Sequence, residues 1–113
     1  MEGAAVSPLA EAMNRLWAKH LPQMEERVMT LETAARSLTN GTLSQDEQEK
    51  AGAEAHKLAG VLGTFGLKEG TELAREAEGL YEGTLDADSS TAQRLSLIAE
   101  RLRIMIASRS RDS

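Results

Sequence analysis

Apolar residues recur along this chain at strides of three and four, the repeat that places side chains on one face of an α-helix. Met24, Val28, Leu31, Ala35 and Leu38 show it most plainly. Ala51, Ala55, Leu58 and Leu62 form a second stripe, and Leu95, Ile98, Leu102, Met105 and Ile106 a third. Leu67, Leu73, Ala77 and Leu80 predict the inward face of another helix, ending near Glu82-Gly83. Upstream, Leu9, Met13, Leu16 and Trp17 share one side of an N-terminal segment. No β-branched alternation is sustained anywhere, so strands are not expected.

Punctuation between the stripes agrees with this division. Ser7 followed by Pro8 is a helix start, a capping hydroxyl before a proline whose missing N–H costs nothing there. Pro22 is expected to separate the N-terminal segment from the second, a kinked continuation being the alternative. Asn40-Gly41 supplies residues that tolerate a left-handed cap. Ser44-Gln45-Asp46-Glu47 has the form of a capping box, and so does Ser90-Thr91-Ala92-Gln93, with Asp88 a second candidate cap. Five segments with short connections predict an all-α fold: an antiparallel four-helix bundle with an additional N-terminal helix. The 113 residues fit one domain spanning 1–113, with an ordered core of about 7–107. The tail from Ser108 to Ser113 has nothing to bury and is expected to fray.

Composition narrows what such a bundle does. Aromatic residues are 3% of the chain, so the core must be aliphatic. A net charge of −5 argues against a nucleic-acid partner, because phosphate backbones are bound through Lys and Arg. No apolar run is long enough to span a membrane, and the first residues lack the basic segment and apolar block of a signal peptide. With no cysteine there is no disulfide or thiolate chemistry, and a cytoplasmic protein is the economical reading. The two histidines, His20 and His56, lie far apart, and no carboxylate spacing suggests a metal site. Glu72, Glu76, Glu78 and Glu82 read as a solvated helix face, as do the arginines of the last segment.

His56 is the one residue whose surroundings call for explanation. Its helical neighbours are Gly52, Ala53, Ala59, Gly60 and Gly63. Glycine in a helix costs about 1 kcal/mol relative to alanine, so three of them around one imidazole need a compensating role. Two are available: close approach of another helix within the fold, or close approach of another protein to a reactive imidazole.

The local pattern favours the second. His56-Lys57-Leu58-Ala59-Gly60, continued by Val61-Leu62-Gly63-Thr64-Phe65-Gly66, resembles the phosphoacceptor motif of histidine-containing phosphotransfer (HPt) domains. In that motif an apolar residue follows the histidine by two, a glycine by four and a second glycine by ten, places held here by Leu58, Gly60 and Gly66. Leu73-Ala74-Arg75-Glu76-Ala77-Glu78 resembles the family's next helix, and the resemblance covers essentially the whole chain. It departs at Ala59, where many HPt domains carry lysine; Lys57 is adjacent instead, with Lys50 and Lys68 as more distant cations.

The resemblance implies a phosphorelay intermediate without kinase activity or a nucleotide site of its own. His56 would accept a phosphoryl group from a receiver-domain aspartate or kinase and pass it to a response regulator, with Lys57 neutralising charge and Gly60 giving the partner access. Docking would use Gly52, Ala53, Lys57, Ala59, Gly63 and Thr64. Partners would be response-regulator receivers and an upstream hybrid sensor histidine kinase, with Mg²⁺ supplied by the receiver, no cofactor on this chain, and a monomeric state. The alternative is a helical adaptor that binds a receiver without carrying phosphate.

Overall fold

In a computed structural model, which describes residues 7–85 and 89–112, the chain forms four helices. They are α1 (Pro8–Thr39), α2 (Gln45–Thr64), α3 (Lys68–Glu82) and α4 (Ser89–Arg111). Contacts run from α1 to α2, α2 to α3, α3 to α4 and α4 back to α1, so α2 and α4 are diagonal in an antiparallel bundle. At 1.5 Å per residue, α1 is about 48 Å long and α2 about 30 Å. The end of α1 therefore runs past α2, within a longest dimension of 57 Å.

The first two of the five expected segments are one helix, because Pro22 lies inside α1. Proline removes the N–H that would bond the carbonyl of Ala18, and both residues are exposed, so that carbonyl is open to solvent. On the other side Trp17, Met24, Val28 and Leu31 are buried in one continuous row, which holds the helix together across the break. Leu9 and Leu16, expected beside Trp17 on the buried face, are exposed instead.

The helix ends follow the sequence closely. Ser7 Oγ accepts from the Ala10 amide. Ser44 and Glu47 close their capping box in both directions, at 3.1 and 2.9 Å. Gly41 and Gly66 have φ of 70° and 72°, the left-handed region where glycine avoids a Cβ clash. At the second, Gly66 N–H donates to Gly63 and Leu67 N–H to Leu62, two bonds that terminate α2. Ser90 is the second residue of α4, and Asp88 lies outside the described residues.

All four residues of the predicted α2 stripe are fully buried, as is the row from Met24 to Leu38. In α3 the buried face is rotated: Gly70, Ala74, Ala77 and Tyr81 point inward, while Leu67, Leu73 and Leu80 sit at the margin. Small residues on both sides let α2 and α3 approach closely. A Cβ on Gly70 would lie 3.0 Å from Leu62 Cδ1.

The expected fraying after residue 107 is not seen, since α4 is helical to Arg111. Trp17 Nε1–H donates to Ser110 Oγ at 2.9 Å, the Arg109 guanidinium lies 5.0 Å from the centre of the Trp17 ring, and Phe65 packs edge-on at 5.1 Å. Trp17 of α1 gives the tail something to bury. Arginines expected to be merely solvated are also paired: Arg94 with Glu76, Arg101 with Glu69 and Arg103 with Glu32.

Candidate functional site

His56 occupies the middle of α2 with its side chain 72% exposed. Ala55 before it and Leu58 after it are fully buried, and the 100° step between successive helical residues turns the imidazole out of the core. Its anchor is the backbone of a helix pinned from beneath, so the ring is presented on a firm support.

The ring is also oriented. Nδ1 lies 2.8 Å from Oε2 of Glu78 on α3. A carboxylate only accepts hydrogen bonds, so Nδ1 carries the proton, and in the neutral ring the lone pair belongs to Nε2. Glu78 itself is mostly covered, with 20% of its side chain exposed. The arrangement is therefore a carboxylate behind an imidazole whose second nitrogen is available as a nucleophile. Sequence reasoning placed Glu78 on a solvated face; nothing in its spacing separates it from Glu72, Glu76 and Glu82.

The small residues around His56 divide into two groups. Gly60 is exposed, and a Cβ built on it meets nothing within 4 Å. Internal packing gives no reason for a glycine there. Ala53, Lys57, Gly63 and Thr64 are likewise exposed. Gly52 and Ala59, expected on the same open surface, are buried. Both face α3, where a Cβ on Gly52 would stand 3.6 Å from Tyr81 Cβ. Their small size serves the α2–α3 seam. The position that holds lysine in many HPt domains is thus covered here. Lys57 remains exposed beside His56, with Nζ 3.6 Å from Glu54, which is held in turn by Arg27 at 2.7 Å.

One part of the surface has no counterpart in the expectations. Leu16 and His20 of α1 meet Gly60, Val61 and Thr64 of α2 and its C-cap Phe65 around a shallow, almost wholly apolar groove of 380 Å³, with Lys57 at its edge. Gly60 joins this groove to the His56 neighbourhood. The signal available in the sequence was the stride of four from Leu16 to His20, but its relation to α2 depends on how the helices pair.

Comparison with known proteins agrees with this geometry. The family model for the Hpt domain matches residues 15–107. Protein RcaC of Microchaete diplosiphon is 36% identical over 66 residues, which are 58% of this chain and 10% of that protein. The chain thus spans about a tenth of that relative's length. No solved structure gives a significant match. No helix among the described residues is long and apolar enough to cross a membrane. A four-helix bundle, an outward histidine in mid-helix and a family match over most of the chain lead to one conclusion: this protein belongs to the Hpt domain family, the histidine phosphotransfer modules of two-component phosphorelays.

Proposed function

We propose that His56 is the phosphoacceptor, taking a phosphoryl group from a receiver aspartate or a kinase and passing it to a response regulator. The observation that carries this reading is the pairing of an exposed ring with a carboxylate on Nδ1 and an open Nε2. In the transfer, the Nε2 lone pair forms the N–P bond while the bond from phosphorus to the donor oxygen breaks, and that oxygen leaves with the electron pair. Positive charge develops on the ring as this happens. Glu78 lies where it stabilises that charge through the Nδ1 proton, and the return transfer reverses each step.

Phosphoryl transfer depends on in-line placement and charge neutralisation more than on covalent help from the carrier. The neutral imidazole, with a lone pair on Nε2, is the nucleophilic form. Mg²⁺ and the remaining positive charge would come from the receiver, with Lys57 contributing at the edge. Gly60, the apolar groove it lines with Thr64, and the exposed Ala53 and Gly63 nearby form the surface on which the receiver docks. A hydrophobic patch with a charged rim suits a transient complex. The setting is the cytoplasm, and the upstream partner is a hybrid sensor histidine kinase.

The test is transfer of labelled phosphate from a panel of phosphorylated receivers to the wild type and to His56→Gln. Label on the wild type alone supports the proposal. No label from receivers that phosphorylate another Hpt domain returns the chain to the adaptor reading.

A further inference from the structure

The outer face of α4 carries chemistry that neither the fold nor the proposed transfer uses. Leu97 and Ile104 stand two turns apart there, 57% and 49% exposed. With Leu73 of α3 they line a predominantly apolar groove of 440 Å³. The core is supplied by the opposite side of the helix, through Ile98, Leu102 and Ile106. A helix side meant only to be wet carries polar residues at such positions.

Between the two apolar residues lie one acid and one base, Glu100 and Arg101, both exposed. Glu100 makes no hydrogen bond or ion pair with the described residues. Arg101 donates through Nε and Nη2 to Glu69, at 3.1 and 3.4 Å, which leaves Nη1 for another acceptor.

We infer that this face of α4 pairs antiparallel with the same face of a second copy, about a twofold axis passing between residues 100 and 101. In that register Leu97 of each copy meets Ile104 of the other, and Glu100 of each meets Arg101 of the other. The surface is complementary to itself, as a twofold contact requires. A parallel alignment would set Glu100 against Glu100 and Arg101 against Arg101, and is rejected by charge. Two or three turns of one helix bury far less than the roughly 800 Å² per partner of a stable interface. The dimer is therefore weak, and the expected monomer prevails in dilute solution. Because α4 is diagonal to α2, pairing leaves His56 open in both copies.

Sedimentation equilibrium of the full chain over a concentration series tests this, with helicity measured on every variant to establish folding. The wild-type mass should rise from 12.2 kDa towards twice that value, and Leu97→Glu should hold it at 12.2 kDa. Glu100→Arg and Arg101→Glu should each remain monomeric alone, since each sets like charges across the axis. Their equimolar mixture should associate, since both charge pairs are then complementary. The proposal is overturned by a wild type that stays at 12.2 kDa throughout, by association that Leu97→Glu leaves unchanged, or by a mixture no heavier than its separate components.

Discussion

Nδ1 of His56 and Oε2 of Glu78 stand 2.8 Å apart across the seam between α2 and α3, although 22 residues separate them in the chain. This one contact sets both the tautomer and the orientation of the imidazole. Glu78→Ala should therefore slow phosphoryl acceptance by roughly 10- to 100-fold, the range found when a group orienting a metal-bound histidine is removed. Glu78→Gln should lose less, because its amide oxygen can still accept from Nδ1–H but brings no charge. Initial rates with one phosphorylated receiver, measured beside thermal melting curves, would check both. Equal rates for all three proteins would show that Glu78 has no part in the transfer.

Gly60 offers a separation of stability from function. A Cβ there meets nothing within the protein, and alanine in a helix is favoured over glycine by about 1 kcal/mol. Gly60→Ala should raise unfolding stability by roughly 0.5–1 kcal/mol. Gly60→Gln should remain folded yet transfer more slowly, since its side chain would stand between the imidazole and a docking receiver. Urea unfolding and transfer kinetics on the same preparations give the two readings; unchanged kinetics in Gly60→Gln would remove the access role.

How far the sequence predicted this site depends on which contacts were local. The α2 stripe and the turn at Gly41 follow from helical period and backbone chirality, which act within a few residues. In α3 the large side chains of Leu73 and Leu80 predict one inward face, and the fold buries another. At a seam this close, Gly70 and Ala74 occupy the interior while Leu73 and Leu80 are pushed to the margin. Glu78 could not be told from its neighbouring glutamates, and Leu16 and His20 could not be placed beside Gly60, since both facts belong to helix pairing and not to any one helix.

Pro22 is the plainest mismatch between local preference and the tertiary fold. Replacing it with alanine restores the N–H for the Ala18 carbonyl, and proline inside a helix costs about 3 kcal/mol. Against this, proline restricts the unfolded chain, an effect worth about 0.4–1 kcal/mol. Pro22→Ala should stabilise the protein by roughly 2 kcal/mol as the difference of these terms. Chemical unfolding monitored by helicity would test it, and a destabilised variant would mean that the interruption is accommodated by contacts that alanine breaks.

Three carboxylates are held below their ordinary value of 4.5. For Glu32 the main cause is hydrogen bonding from Arg103, for Glu76 hydrogen bonding from Arg94, and for Glu47 the backbone N–H of Ser44. A pKa depressed by folding contributes stability above the unfolded value and loses it as pH falls through the folded one. The melting temperature should accordingly hold from neutral pH down to about 5 and decline below about 4.5. The slope should be modest, because Glu76 is exposed and Glu32 and Glu47 are only half-buried, so solvent screens all three. Melting curves of Glu32→Gln and Glu76→Gln across the same range should show a flatter acid limb. Slopes equal to that of the wild type would assign acid sensitivity elsewhere.

The proposed transfer runs through a single nitrogen atom, Nε2 of His56, and ¹H–¹⁵N correlation spectra of the phosphorylated, ¹⁵N-labelled protein report on it directly. With Glu78 holding the proton on Nδ1, the phosphoryl group should appear on Nε2 of His56, and the Nδ1–H should persist. Phosphate on Nδ1 of His56, or on any other residue, would contradict the account.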